Sequence, residues 1–190
     1  MKKLHLGCGK SPMDGWINLD QTAHAGVDVV FDLDRCDAYR LPFEDDSISE
    51  FYGSHVIEHI TKTLPLMQEL HRVAKPDARL LFKCPYGSSD DAFENPTHVK
   101  QYFLHSSGYW SQPFYWRESY AYTGDWATER TVLLVPHAIA GAKDSQALMN
   151  DVMQKRNVVR ELHMYLRAVK PIREARKELQ IPPKVEICLI

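Results

Sequence analysis

The segment Leu4-His5-Leu6-Gly7-Cys8-Gly9 constrains the fold more than any other part of the chain. An apolar strand runs straight into two closely spaced glycines, and glycines at a strand end let the backbone approach a ligand with no Cβ in the way. A GxG alone is more often only a turn. Here it precedes two further predicted strands that end in acids: Trp16 to Leu19 runs into Asp20, and Val27 to Phe31 runs into Asp32. A carboxylate at the end of the second strand can accept hydrogen bonds from both hydroxyls of a ribose. One at the end of the third can accept from an adenine amino group, while the backbone amide of Leu33 reaches a ring nitrogen. Singly, each acid is as readily a helix cap or a loop solvator. In order along one sheet edge they describe a nucleoside site, because open α/β sheets bind ligands outside the carboxyl ends of their strands.

The rest of the pattern fits such a sheet. Strands are predicted at Glu50 to Ser54 and Arg79 to Cys84, with a helix over Val56 to Ala74 between them, where Ile57, Ile60, Leu64, Met67, Leu70 and Val73 recur at helical spacing. Pro65 is expected to kink or divide that helix. Strand, helix, turn and strand in this order form a βαβ crossover and hence a parallel sheet. Two more strands, Thr131 to Val135 and Lys184 to Ile190, are expected at one edge of the sheet, separated by a helical stretch from about Ser145 to Glu178 that breaks at Pro171. At 190 residues the chain reads as one domain, residues 1 to 190, with no internal repeat.

Composition excludes several classes of function. No run of about 18 apolar residues offers a membrane span. The start, Met1-Lys2-Lys3, leads directly into a strand and shows no secretory signal, which predicts a cytoplasmic protein. Cys8, Cys36, Cys84 and Cys188 form no CxxC pair, which speaks against a zinc ribbon or a disulfide framework. A net charge of −2 gives no global attraction to a polyanion. One local exception is the basic stretch Lys155 to Lys177, which leaves a nucleic-acid partner open; a solvated helix face, with Leu162, Tyr165, Leu166 and Val169 turned inward, is the favoured reading.

Four segments resemble the class I S-adenosylmethionine-dependent methyltransferases, in particular the methyltransferase type 11-like group. Leu4-His5-Leu6-Gly7-Cys8-Gly9 is similar to the first cofactor motif, and Leu41-Pro42-Phe43-Glu44-Asp45-Asp46-Ser47 to the LPFxDxS segment. Ser54-His55-Val56-Ile57-Glu58-His59-Ile60 resembles SHVLEHI, and Arg72-Val73-Ala74-Lys75-Pro76 resembles the RVLKPGG turn before the fifth sheet strand. The resemblance implies a doubly wound, mostly parallel α/β sheet of Rossmann-like type with S-adenosylmethionine as cofactor. It implies methionine-end contacts at Gly7, Cys8 and Gly9, ribose contacts at Asp20, adenine contacts at Asp32 and Leu33, and a further contact near Ser54 and His55. The chain departs from the pattern in four places. His5 stands where many members carry an acid, Asp77-Ala78 replaces the usual Gly-Gly, and Asp37 competes with Asp32 for the adenine role. The ten residues between Gly9 and Asp20 leave room only for an abbreviated first crossover.

On the acceptor side, residues 93 to 126 hold 11 of the 20 aromatic residues, so the segment 86 to 128 is either an auxiliary core or a pocket wall for a ring or sugar face. Asn95-Pro96-Thr97-His98 resembles a D-P-T-H segment of related methyltransferases, which makes His98 the candidate catalytic base; Tyr86 and Asp90 are weaker candidates for orienting an acceptor. The expected reaction is methyl transfer to a small-molecule or glycan acceptor. One alternative is a nonenzymatic nucleoside-cofactor or partner-binding module. A lesser one is a zinc-dependent hydrolase, since His55-Val56-Ile57-Glu58-His59 matches H-x-x-E-H with both histidines on one helical face. No third ligand is visible downstream, so no metal is expected.

Overall fold

Alternating and apolar runs in the amino-terminal half form the strands β1 (Lys2–Leu6), β2 (Ile17–Asp20), β3 (Val29–Val30), β4 (Ile48–Ser54) and β5 (Ala74–Pro85). Three more follow: β6 (Trp126–Val135), β7 (Glu161–Ala168) and β8 (Lys184–Leu189). The computed structural model, which describes residues 1–190, joins them in one sheet of order β3-β2-β1-β4-β5-β7-β6-β8. Every pairing is parallel except those of β7, which runs antiparallel to both β5 and β6. The chain winds outward from β1 to β3 and then returns to place β4 on the other side of β1. This doubly wound, mostly parallel sheet therefore has its switch point between β1 and β4, where such sheets form their ligand crevice.

Helix α1 (Thr63–Val73) lays Leu66, Met67, Leu70 and Val73 on the core, each at most 1% exposed. Met67 ties it to the sheet a second way: its carbonyl accepts from the Trp126 indole N–H at 3.0 Å. Trp126 is fully buried and stands edge-on to Phe51, so its replacement by alanine would cost about 3–5 kcal/mol. The remaining helices are the single turns α2 (Asp91–Glu94) and α3 (His137–Ala140), and α4 (Ser145–Gln154), whose N-cap Asp144 accepts from the Ala147 amide at 2.8 Å. No helix is long and apolar enough to cross a membrane.

The structure corrects several local expectations. Val56 to Ala74 is not one helix. His55 takes a left-handed conformation (φ 52°), Ile57–His59 form a single 3-10 turn, and α1 starts only at Thr63. Pro65 therefore falls in the first turn, where its missing N–H has no intrahelical partner to lose, and it does not kink the helix. The stretch Ser145 to Glu178 is α4 followed by a strand rather than a long helix. In β7 burial alternates strictly, with Leu162, Met164, Leu166 and Ala168 inward, while Tyr165 lies on the opposite face. Val27 to Phe31 contributes only two paired residues.

The basic stretch is largely neutralised by acids distant in sequence. Arg156 pairs with Asp90, Arg167 with Asp77 and Glu129, Lys170 with Asp46, and Arg173 with Asp125. Two further expectations correspond to what the fold contains. The first crossover has no helix, and Asp77 adopts φ 61° in the tight turn before the paired part of β5, a conformation in which glycine costs less.

Candidate active site

At the switch point a cleft of about 450 Å³ opens over the carboxyl ends of the first four strands. Gly7 follows β1, Asp20 ends β2, Phe31 and Asp32 follow β3, and His55 follows β4, and all five line it. Leu19, Leu33, Val56 and Ile60 add apolar walls.

Gly7 is required on two counts. Its φ of 61° is unfavourable for a side chain, and a Cβ would sit 2.6 Å from Val56 Cγ2. Gly9 shares the positive φ (52°) but nothing lies within 4 Å of where a Cβ would be, so its smallness leaves open space. Cys8 between them is buried. Its amide donates to Leu19 O at 3.1 Å, and burial raises its thiol pKa, which keeps the thiol in its neutral form.

Asp20 shapes this loop as well as lining the cleft. Its Oδ2 accepts from the Gly9 amide at 2.8 Å and its Oδ1 from the Thr22 amide at 2.9 Å, which leaves each oxygen a further lone pair. Asp32 caps the 3-10 turn Leu33–Arg35 by accepting from the Asp34 amide at 3.0 Å, and it also faces the cleft. Asp37 does not; Lys62 holds it at 2.6 Å and keeps its carboxyl below the usual range. Asp34, which the sequence did not single out, lines the cleft and fixes the entry to α1 by accepting from the Lys62 amide at 2.9 Å.

His5 and Ser54 lie off the cleft. His5 is buried on the sheet, with Nδ1 3.2 Å from Asn18 Oδ1, and its pKa is lowered by burial. Ser54 remains in β4. His55 is flanked by two carboxylates, with Nε2 3.6 Å from Glu161 and Nδ1 3.3 Å from Glu58. Glu161 and Glu58 together push its pKa up to about 10, and His163 and His55 in turn pull Glu161 down to about 2.

His59 and Thr97 also line the cleft. Thr97 belongs to an Asx turn, since Asn95 Oδ1 accepts from its amide at 3.0 Å and its hydroxyl at 2.7 Å. The loop is pinned by the amides of Val99 and Lys100, which both donate to the Glu58 carbonyl at 2.9 and 3.2 Å. His98 is thereby packed edge-on against His59 at 4.8 Å, behind it and out of the cleft wall. Because His55 precedes a 3-10 turn, His55 and His59 do not share a face of an α-helix, and the helical arrangement of a zinc peptidase is absent.

The aromatic segment divides. Tyr102, Trp110, Tyr115, Tyr122 and Trp126 are buried in the core. Phe103 and Tyr109 instead border a second hollow of about 530 Å³ together with Tyr86 and Arg156, apart from the first cleft. Asp90 is held by Arg156 and Asn157.

Residues 4–82 match the family model described as a methyltransferase domain. Among curated proteins no sequence matches the chain. Solved structures with the same fold include a SAM-dependent methyltransferase from Archaeoglobus fulgidus, with TM-score 0.57, 12% identity and coverage of 87% of this chain and 85% of that one. Another, from Aquifex aeolicus, has TM-score 0.53 and 15% identity over 89% and 82% of the two chains. The YcgJ protein of Bacillus subtilis has TM-score 0.52 and 14% identity over 89% and 92%. At such identities the likeness speaks for the fold, which is that of the class I methyltransferases. The methyltransferase-domain match covers the strands whose carboxyl ends, with the turn after β3, form the cleft at the switch point.

Proposed function

We propose that the chain is an S-adenosylmethionine-dependent methyltransferase acting on a hydroxyl of a small-molecule or glycan acceptor. In this reading the cofactor lies along the cleft. The backbone at Gly7, Cys8 and Gly9 receives its methionine end, Asp20 the ribose, and Asp32 and the Leu33 amide the adenine, while His55 supplies the further contact and Ser54, off the cleft, takes no direct part. The residues fit such a group, because the cleft is acidic, glycine-floored at Gly7 and apolar between Leu19, Phe31 and Ile60. When bound, the cofactor supplies an electrophilic methyl group; the chain's own residues have to hold the acceptor oxygen in line with it and keep water out.

The observation that carries the reading is the run of Gly7, Asp20, Asp32 and His55, each at the end of a strand or just past it and all on one cleft. His59 and Thr97, which line the same cleft, are in this reading the groups that meet an acceptor. His98, buried behind His59, would act on the acceptor through its neighbour and not by contact, as a positioning residue. The segment 86 to 128 contributes to the acceptor side mainly through the loop carrying Thr97.

Calorimetric titration with S-adenosylmethionine and S-adenosylhomocysteine, with NAD as control, tests the cofactor half. Selective micromolar binding is expected, followed by turnover in a panel of sugars and small alcohols. Selective binding without turnover on any hydroxyl, amine or thiol would favour the nonenzymatic binding module instead.

A further inference from the structure

Glu58 is 2% exposed, and neither of its carboxylate oxygens has a hydrogen-bond partner. The His55 ring nitrogen 3.3 Å away lacks the alignment of a hydrogen bond. His98 repeats the anomaly: its side chain is 5% exposed, its Nδ1 is buried without a partner, and its Nε2 stands 4.0 Å from Glu58 Oε1. Buried polar atoms without partners are rare and costly, and three of them meet here. His59 completes the group, since one ligand atom from each of Glu58, His59 and His98 falls within 4.8 Å of the others.

We propose that Glu58, His59 and His98 bind a divalent first-row transition-metal ion beside the cleft, at His59. Two imidazoles and one carboxylate suit zinc, manganese, iron or cobalt and leave coordination positions open. The surroundings of His59 are those of a ligand. Its Nδ1 lies 3.1 Å from Thr97 O and 3.0 Å from Thr97 Oγ1, and donation from Nδ1–H to that carbonyl leaves the Nε2 lone pair free. Metal-bound histidines are held in this way by a backbone carbonyl on the other nitrogen. The ligands come from two segments joined by the Val99 and Lys100 amides on the Glu58 carbonyl, so the ion would sit between elements already fastened together. His59 is the ligand that also lines the cleft, which places the ion on the acceptor side and gives His98 a role despite its burial.

The site stands apart from the choice of acceptor and is tested without cofactor or acceptor present. The full chain, stripped with chelator and dialysed, is titrated calorimetrically with Zn²⁺, Mn²⁺ and Co²⁺ chlorides, and the Co²⁺ form is followed by visible absorption. One ion per chain is expected for at least one of these metals, with affinity falling tenfold or more in His59→Asn, His98→Asn and Glu58→Gln. The exposed His137→Asn should bind as wild type. Since Glu58 and His98 are buried, circular dichroism checks that each variant folds, and the more accessible His59→Asn carries the test if the others do not. No binding of any of the three ions at millimolar concentration, or wild-type affinity in folded His59→Asn, would overturn the site. Either result leaves the cofactor titration, and with it the methyl-transfer reading, untouched.

Discussion

The Gly9 amide donates to Asp20 Oδ2 at 2.8 Å, so the carboxylate that faces the cleft from β2 also fixes the glycine loop that follows β1. A change at Asp20 therefore acts on the nucleoside and on the loop at once. Asp20→Ala should weaken S-adenosylmethionine binding by about 1–3 kcal/mol through lost charge-assisted hydrogen bonds. Wild-type affinity in this variant, measured by calorimetry, would remove Asp20 from the ribose site.

Gly7 and Gly9 should respond differently to alanine. At Gly7 the added Cβ meets Val56 at 2.6 Å on top of a positive φ, so Gly7→Ala should lower the urea midpoint by the equivalent of about 1–3 kcal/mol. At Gly9 only the backbone strain applies, about 1 kcal/mol. Its main effect should appear in cofactor affinity, because the new methyl occupies the open space beside the cleft. Equal losses of stability in the two variants would contradict this division.

Asp125 is fully buried and binds Arg173 through both oxygens, at 2.8 Å each to Nε and Nη2, while also accepting from the Arg173 and Gln112 amides. Asp125→Ala would leave a guanidinium facing an emptied buried site, at about 3–5 kcal/mol. Denaturant unfolding of Asp125→Ala, Arg173→Ala and the double variant should show strong non-additivity, with the double variant losing far less than the sum.

Two buried histidines should make the fold acid-sensitive. Burial lowers the pKa of both His5 and His71 from an unfolded value near 6.5, and His71 Nε2 spends its hydrogen bond on the Val169 carbonyl at 3.1 Å. Above pH 6.5 these two groups are neutral in both states and cost no stability. As pH falls below 6.5 the unfolded chain takes up protons that the folded chain refuses, and stability declines down to the folded pKa values. Urea midpoints at pH 8, 6.5 and 5 should fall over the last interval, with a shallower fall in His71→Gln. An unchanged slope in that variant would assign the acid loss to other groups.

What was readable in the sequence, and what was not, follows from the range of the interactions. β1, β2, β4 and β5 were legible because each holds a short apolar or alternating run with a glycine, an aspartate or a proline near its boundary. β7 was not. Leu162, Tyr165, Leu166 and Val169 satisfy a helical spacing as well as Leu162, Met164, Leu166 and Ala168 satisfy a strand, and only the vacancy between β5 and β6, with its ladder on both sides, breaks the tie. The basic residues around β7 read as a charged surface for the same reason: their partners Asp46, Asp77, Asp90 and Asp125 are 48 to 124 positions away.

The sequence by itself determined the strand ends that make the cleft, since Gly7, Asp20 and Asp32 act through local backbone freedom and local charge. It could also name His55, Glu58, His59 and His98 as residues of chemical interest. Only the tertiary structure decided how they are used. The left-handed turn at His55 breaks the helical register that would have aligned His55 with His59, and two amides on one carbonyl bring His98, some 40 positions along the chain, against Glu58. Spacing encodes neighbours within a helix or strand; contacts between segments are set by how the sheet and its loops close, and this is where the candidate ligands meet.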